Sequence, residues 1–325
     1  MKGEKMIAGR PLARGWLRSN TTTIGPILAA VVIIAVFQVI NPDFLSYNGL
    51  ITLVYAMSYF LIAACGLTFV IMTGSFDFSV VSVLKLAALL SVLYVDRLGL
   101  WVVPLALLVS VGFGFINGLF VAKFKVPSFM ATLGVSVVVE GIALYLSKGF
   151  LHVINNETFR ALATTFIAGL PSIFYWAMGI WILSTFIALV TPFGRRIYAV
   201  GGNPISAGLS GINVAWYRIY VFMLSGLFAG LAGVLYMANW GGGSMELGAD
   251  AAIPLFASVV AGGTALTGGV GGPHRTLLGV IIITWIQAGM LMLAVGRDIQ
   301  VVTFGLIALV MSIATIDWRR ITIIK

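Results

Sequence analysis

Long apolar runs separated by short polar gaps make up most of the chain. A helix needs about 20 predominantly apolar residues to cross a bilayer, and ten runs approach or reach that length. They cover residues 22–40, 50–73, 79–95, 99–122, 127–147, 167–190, 214–237, 251–271, 275–295 and 299–317. The pattern predicts an all-α fold: a polytopic helical membrane protein with about ten transmembrane helices.

The composition supports this class. Of the 325 residues, 60% are hydrophobic and 9% are charged, and the mean hydropathy is +1.09. A soluble domain carries about 25% charged residues, so this chain cannot cover a water-facing surface. The net charge of +9 does not indicate nucleic acid, because the basic residues lie mainly in the gaps between apolar runs. The single cysteine, Cys65, excludes an intramolecular disulfide.

The basic residues also predict the orientation, because Lys and Arg accumulate in short cytoplasmic loops. With the N-terminus inside, Lys85 lies within a span and the outer gaps hold only Arg97, Lys148, Arg160 and Arg297. The other fourteen of the 19 basic residues then fall on the inner side. We therefore expect both termini in the cytoplasm, with an N-terminal segment 1–21, a membrane domain 22–318 and a C-terminal tail 319–325.

The first apolar run, residues 22–40, follows a basic N-terminal segment, so a cleaved signal peptide is an alternative interpretation. The run is too long for an ordinary signal sequence, and no small-residue cleavage pattern follows it. We expect it to be retained as the first span.

Three polar, glycine-containing stretches interrupt the apolar pattern, and the first is residues 73–82. Asp77, followed by Ser79, suits the start of a helix because a carboxylate accepts hydrogen bonds from free backbone N–H groups. The alternative is a broken or re-entrant segment that lines a cavity, since irregular backbone at membrane depth needs protein or water to satisfy it. The residues leave both interpretations open.

The second stretch runs from Gly194 to Val214 and contains Arg195 and Arg196, which predict a cytoplasmic location. Asn203-Pro204 is typical of a helix start, because proline fits the first helical turn. We expect residues 204–211 to form a short surface helix within a segment of about 192–213. The alternative is an ordinary connecting loop.

The third stretch is Gly262–Pro273, with Gly262, Gly263, Thr264, Gly268 and Gly269. Glycine is costly inside a helix, so this density indicates a helix break or a close approach of backbones. A nucleotide site is the alternative, but neither the phosphate-loop lysine pattern nor the dinucleotide glycine pattern is present. We expect tight helix packing or a hinge.

The remaining candidate chemistry is an intramembrane charge pair. Lys85 and Glu140 lie in different predicted spans and have opposite signs, so we expect them to pair rather than remain isolated in the membrane. Catalytic chemistry is not supported: His152 and His274 fall on opposite sides of the membrane, and no metal-ligand cluster or nucleophile motif is present. We expect neither an enzyme nor a bound metal or cofactor.

In order and spacing, the three stretches resemble those of the membrane-spanning permease subunit of bacterial ATP-binding-cassette sugar importers of the ribose, xylose and arabinose type. The similar segments are 74–79, 198–203 with 209–213, and 262–264 with 268–271, and the resemblance covers about residues 25–320. It implies an inner-membrane location, a second permease subunit, cytoplasmic ATP-binding cassettes, a periplasmic solute-binding protein and transport by alternating access. Departures at Ser75, Phe76 and Val81, and in residues 273–275, affect local geometry rather than the family.

The resemblance also implies roles for individual residues. Coupling to the ATPase is expected of Arg195, Arg196, Gly201, Gly202, Asn203, Ser210 and Gly211. A role in the translocation pathway or its gate is expected of Asp77, Ser79, Gly262, Gly263, Thr264, Gly268 and Gly269. Alternatives are a permease for nucleosides or branched-chain amino acids, or a self-sufficient secondary transporter with broken helices near the midplane. A membrane-embedded enzyme lacks its catalytic residues.

Overall fold

The computed structural model describes residues 30–243 and 251–315. The predictions for the terminal segments 1–21 and 319–325 lie outside these residues. The helices are α1 (Ala30–Ile40), α2 (Tyr47–Met72), α3 (Val80–Leu98), α4 (Val102–Ala122), α5 (Ser128–Ser147), α6 (Glu157–Thr164), α7 (Ser172–Val190), α8 (Pro192–Gly202), α9 (Pro204–Leu209), α10 (Val214–Trp240), α11 (Ala252–Ala261), α12 (Pro273–Met292) and α13 (Arg297–Thr315).

Within the described residues, six helical segments are long and apolar enough to cross a membrane. One of them, Val80–Ala122, contains both α3 and α4, which are joined by the short 3-10 turn Gly99–Trp101. Helices α1 and α11 are apolar but shorter. The predicted polytopic helical class is confirmed, whereas ten spans and the cytoplasmic location of both termini stay predictions.

Two predicted spans are shorter in the structure. The run 251–271 is helical only as far as Ala261, because the glycines that follow adopt backbone angles that a helix does not use, such as φ +88° at Gly263. The run 167–190 begins with a hairpin of β2 (Phe166–Ile167) and β3 (Leu170–Pro171) before α7 starts. A second short ribbon pairs β1 (His152–Val153) with β4 (Gly242–Gly243).

Helix α10 forms the centre of the bundle. Of its most apolar stretch 78% is buried, against 22% for α5 and for α7. Small residues allow its neighbours to approach: Gly226 lies against the backbone of Ser110 in α4, and Gly233 against that of Leu84 in α3. Without a strong hydrophobic force between helices in lipid, such close packing is a main source of helix association.

These contacts also establish directions. Gly114 lies near Phe222 and Ser110 near Gly226, so α4 runs antiparallel to α10. As a result the end of α2, the start of α3, the end of α4 and the starts of α5 and α10 lie at one end of the bundle. We call this end the loop face and define it by residues 73–79, 123–127, 191–213 and 262–272. It is the face predicted to be cytoplasmic.

Candidate functional site

The three glycine stretches that the sequence singles out meet at the loop face. A β-carbon on Gly268 would lie 2.6 Å from the amide nitrogen of Gly74 and 3.1 Å from the carbonyl oxygen of Gly201. The amide of Gly269 donates a hydrogen bond to the carbonyl oxygen of Met72 at 2.9 Å. No side chain fits between backbones this close. We call Gly74, Gly201, Gly202, Gly268 and Gly269 the glycine junction.

The junction depends on backbone conformations that favour glycine. Gly268 has φ +83° and Gly269 has φ +74°, and Gly74 has φ +73°. At the other end of the same loop, Gly262 packs closely against the backbone of Arg275. Thr264 supports the loop by accepting a hydrogen bond from the amide of Gly272 at 3.2 Å. The predicted close backbone approach is therefore present, as is the break that ends α11.

Two aromatic side chains hold the third stretch in place. The Tyr198 hydroxyl donates to the carbonyl oxygen of Gly271 at 2.6 Å, and the Trp181 indole donates to that of Pro273 at 2.9 Å. Burial raises the pKa of Tyr198, with Arg275 opposing the shift, so the hydroxyl keeps its proton at neutral pH. Sequence reasoning did not identify Trp181, a residue of α7 whose contact with Pro273 is visible only in three dimensions.

The predicted surface helix is present as α9. The Asn203 side chain accepts a hydrogen bond from the amide of Ser206 at 3.0 Å, and Pro204 occupies the first turn, as the Asn-Pro pair predicted. The helix stops at Leu209, earlier than expected, with Ser210 as its cap and Gly211 at φ +83°. The residues before it also form a helix, α8, whose start is capped by Thr191.

Helix α9 carries an exposed apolar pair that sequence reasoning missed. Ile205 is 78% exposed and Leu209 is 86% exposed. They are four residues apart, so they lie on the same side of the helix. The i, i+4 spacing within the predicted short helix was the signal that could have found them. An exposed apolar pair in a polar segment is a candidate contact surface.

The two predicted coupling arginines are anchored within the chain. Arg195 donates to the carbonyl oxygen of Val190 at 3.0 Å. Arg196 donates to the hydroxyl of Tyr217 at 2.6 Å and lies 5.8 Å from the centre of that ring. Arg196 therefore joins α8 to the start of α10.

Asp77 and Ser79 form a buried polar cluster rather than an exposed one. One carboxylate oxygen of Asp77 accepts from the amide and hydroxyl of Ser79 at 3.0 and 2.6 Å, and the other accepts from the hydroxyl of Ser225 at 2.7 Å. Asn117 donates to the Ser79 hydroxyl at 2.6 Å. Asp77 is only 2% exposed. Asp77 thus accepts the amide of Ser79, the residue before α3, but the first turn of α3 itself has no side-chain cap. The contacts show protein groups satisfying an irregular segment.

Asp77 lies deeper in the bundle than the rest of the loop face. Ser225 is eleven residues into α10, which places Asp77 about 16 Å from the start of that helix. Irregular backbone at such depth is stable only when its polar groups are satisfied. Asn117 and Ser225 were missed by sequence reasoning, because a single asparagine or serine in an apolar run carries no signal of its partner.

Lys85 and Glu140 lie together, as their opposite signs predicted. The ammonium nitrogen of Lys85 is 3.6 Å from a carboxylate oxygen of Glu140. Lys85 is 9% exposed and Glu140 is 52% exposed, so the pair connects the interior of α3 with the outer side of α5.

An aromatic cavity of about 390 Å³ lies in the half of the bundle away from the loop face. Its lining includes Tyr59, Tyr236, Trp240, Gln287 and Gln300, from α2, α10, α12 and α13. The Tyr59 and Tyr236 rings are 4.9 Å apart, and the Trp240 ring lies 6.0 Å from that of Tyr236. Neither tyrosine hydroxyl has a hydrogen-bond partner among the described residues, so both are available to a ligand.

The cavity has the composition of a small-molecule site. Such sites are concave and mostly apolar, with a few polar groups that orient the ligand. Sequence reasoning missed it because its residues come from six helices, α2, α3, α10, α11, α12 and α13, several of which are far apart in the chain. Among residues 30–243 and 251–315, no group of three His, Cys, Asp or Glu residues is placed to hold a metal ion.

Known proteins are similar in sequence to this chain over most of its length. The family model described as branched-chain amino acid transport system / permease component matches residues 49–315. The ribose import permease protein RbsC of Haemophilus influenzae is 33% identical over 301 residues, which cover 88% of this chain and 91% of the relative. RbsC of Escherichia coli strain K12 is 32% identical over 309 residues, covering 92% of this chain and 94% of the relative.

A further relative is the L-arabinose transport system permease protein AraH of Escherichia coli strain K12. It is 30% identical over 287 residues, which cover 88% of this chain and 88% of the relative. No solved structure matches the chain. The family match and the coverage of these relatives agree with the apolar helices. The chain therefore belongs to the family of ATP-binding-cassette transporter permeases that includes the ribose and arabinose permeases.

Proposed function

We propose that the chain is the permease subunit of an ATP-binding-cassette importer that moves a small polar solute, a monosaccharide or a sugar-like compound, across the inner membrane by alternating access. The observation that carries the proposal is the exposed pair Ile205 and Leu209 on α9, a helix joined directly to the glycine junction. An ATP-binding subunit that buries this pair acquires a mechanical connection to the membrane helices. ATP hydrolysis then takes place in that separate subunit.

The contacts of the junction support a route for the motion. A displacement of α8 and α9 is transmitted through Gly201 to the end of α2 and through Gly268 to the loop between α11 and α12. Helices α2, α11 and α12 also contribute residues to the aromatic cavity: Tyr59, Leu255 and Gln287. Nucleotide binding shifts the cavity between outward and inward states only if it favours one of them, and a rigid junction provides the connection.

The lining of the aromatic cavity supports a small polar solute, and Arg297 is the charged residue among the described lining. Rings such as those of Tyr59 and Trp240 pack against the apolar C–H face of a sugar, and the tyrosine hydroxyls and the Gln287 amide are placed to bind its hydroxyls. An amino acid needs an anionic partner for its ammonium group. The described lining of the cavity contains no carboxylate, which favours a sugar over a branched-chain amino acid.

The partners follow from this function. We propose a pair of permeases, two cytoplasmic ATP-binding cassettes and a periplasmic solute-binding protein that delivers the solute. About ten spans with both termini in the cytoplasm fit the charge distribution. Asp77, Ser79, Gly262, Gly263 and Thr264 keep their proposed role as organisers of the pathway and its gate, through the helix ends that they hold.

The test is reconstitution of the chain in proteoliposomes with its co-encoded ATP-binding subunit and binding protein. We expect ATP-dependent uptake of a labelled pentose or hexose in preference to a nucleoside or to leucine. Tyr59→Phe and Tyr236→Phe are expected to raise the KM for uptake, with Tyr145→Phe, which lies outside the cavity lining, as the matched control. Uptake that persists without the ATP-binding subunit and follows an ion gradient indicates a secondary transporter and contradicts the proposal.

A further inference from the structure

A second cavity opens at the loop face, with a volume of about 560 Å³. It lies between the end of α4, the start of α5 and the start of α10. The lining residues that matter chemically are Lys125, Ser128 and Arg218. We call it the basic pocket. It shares no lining residue with the aromatic cavity, and Gly74 of the glycine junction lies at its edge.

Two cations line the pocket, and no acidic residue does. Arg218 is half-buried, and its Nε is a buried donor without a hydrogen-bond partner among the described residues. Lys125 is exposed at the rim, with φ +57°. Within the described part of the chain, neither of these cations forms a salt bridge with a carboxylate, whereas Lys85 forms one with Glu140. A half-buried guanidinium with an unused donor favours an anionic partner.

The start of α5 adds further donors. Its cap residue is Pro127, whose side chain makes no capping hydrogen bond, so the amides of the first turn have no side-chain acceptor. These amides and the positive end of the helix dipole favour an anion. Ser128 accepts a hydrogen bond from the amide of Phe76 at 3.0 Å, which leaves its own hydroxyl hydrogen for a ligand. The start of α10 contributes fewer free amide donors, because the Asn213 side chain already caps it.

We infer that the basic pocket binds a phosphate group. Arginine provides a planar fork of donors that matches phosphate oxygens, and lysine provides a second charge. The cavity is larger than the phosphate itself, so it has room for an attached glycerol or sugar. The source of the phosphate is either the headgroup of an anionic phospholipid or a soluble phosphate ester. This inference does not depend on the proposed transport function.

The location of the pocket predicts that a bound phosphate affects the helices around it. Val214 and Ala215 line the pocket and directly follow the segment that contains α9. A phosphate held by Arg218 and by the start of α5 connects α10 to α5. We therefore expect the ligand to stabilise the folded chain and to restrain the segment next to the proposed coupling helix.

The experiment uses the purified full-length chain with four probes. Inorganic phosphate and glycerol 3-phosphate are titrated while thermal unfolding is followed. Phosphatidylglycerol and phosphatidylcholine nanodiscs are compared by native mass spectrometry for retained lipid. The variants are Arg218→Gln and Lys125→Gln, and the matched control is Lys123→Gln, an exposed lysine two residues from Lys125 that is not part of the lining.

We expect binding of at least one phosphate probe to the unmodified chain and to the Lys123→Gln control. Loss of one charge-assisted contact should weaken it by about tenfold in Arg218→Gln, and by less in Lys125→Gln. Saturable protection by the soluble probes identifies a phosphate ester, whereas selective retention of phosphatidylglycerol identifies a lipid headgroup. If Arg218→Gln does not fold, Lys125→Gln decides the result. The inference is overturned if no phosphate probe binds, or if the pocket variants bind as tightly as the control.

Discussion

Gly201 in α8 lies directly against the carbonyl oxygen of Met72 at the end of α2, so closely that a β-carbon at this position overlaps it. The same carbonyl accepts a hydrogen bond from the amide of Gly269. The carbonyl group at the end of α2, just before the first glycine stretch, is thus enclosed by Gly201 of the second stretch and Gly269 of the third. Rigid-body movement of α8 must displace α2, the loop before α12, or both, because packed backbones leave no free volume.

Gly201→Ala is expected to disrupt this junction. The added methyl group meets backbone rather than a flexible side chain, so we expect a loss of about 1–3 kcal/mol in stability and a larger loss of coupled uptake. The measurement is thermal unfolding together with ATP-dependent uptake in proteoliposomes. Gly179→Ala in α7, where a β-carbon meets open space, is the control and should change neither. Equal behaviour of the two variants contradicts the role given to the junction.

Replacing the apolar pair on α9 is expected to separate ATP hydrolysis from transport. Burying one leucine or isoleucine side chain contributes about 1.5–3 kcal/mol, so Ile205→Ser with Leu209→Ser should weaken binding of the ATP-binding subunit at least about tenfold. Membrane insertion and thermal stability should stay unchanged. The readouts are co-purification and solute-stimulated ATPase activity. Leu100→Ser makes a similar change on an exposed residue at the other end of the bundle and should have no effect; an intact complex in the α9 variant refutes the docking role.

Tyr198→Phe removes the hydroxyl that holds the carbonyl of Gly271, and we expect a loss of about 1 kcal/mol. Tyr220→Phe is the matched control, because that hydroxyl has no partner among the described residues. Burial raises the pKa of Tyr198 above its ordinary value of 10.0. Its contribution to stability is therefore fully present below pH 10 and declines only as the pH rises above that. A pH-dependent loss between pH 6 and 9 that Tyr198→Phe abolishes contradicts this assignment.

The Lys85–Glu140 pair is expected to behave as a coupled unit. Glu140→Gln leaves a largely buried ammonium without its 3.6 Å partner, so the yield of assembled protein in the membrane and its unfolding temperature should both fall. The exchange of both residues, Lys85→Glu with Glu140→Lys, should restore part of each. A double-mutant cycle measures the coupling free energy directly. Single and double variants that are simply additive show that the pair does not contribute to assembly.

Asp77 distinguishes between capping and a direct role in the pathway. Asp77→Ala removes the acceptors of three hydrogen bonds, two from Ser79 and one from Ser225, and we expect stability to fall by several kcal/mol because buried donors lose their partner. If capping is the whole role, Asp77→Asn should lower stability and uptake in parallel. Lost uptake with unchanged thermal unfolding instead supports a direct role. Ser136→Ala, at an exposed hydroxyl of α5, provides the baseline.

Local features of the site were predictable because they depend on neighbouring residues. Asn203 and Pro204 predicted the start of α9, and the density of glycine in residues 262–273 predicted a break. The length of α11 was not predicted, because an apolar window continues to residue 271 although the backbone leaves the helix at Ala261. An apolar composition indicates that a segment prefers lipid, whereas the position at which a helix ends depends on backbone conformation.

The aromatic cavity and the basic pocket had no signal in the sequence. Tyr59 and Tyr236 are 177 positions apart in the numbering, and their rings meet only because α2 and α10 pack against each other. Arg218 was counted as one more inner basic residue, and nothing in its neighbours indicated a cavity beside it or a buried donor without a partner. Such constellations depend on which helix faces which.

The sequence by itself determined that this chain is a helical membrane protein, where its apolar runs lie and which glycines interrupt them, because hydrophobic burial and backbone freedom are properties of single residues and short windows. Only the tertiary structure decided that Gly74, Gly201 and Gly268 touch, that Asp77 accepts a hydrogen bond from Ser225, and that six helices enclose a cavity. Those contacts join residues far apart in the chain, and helix packing selects them through shape and depth rather than through local sequence.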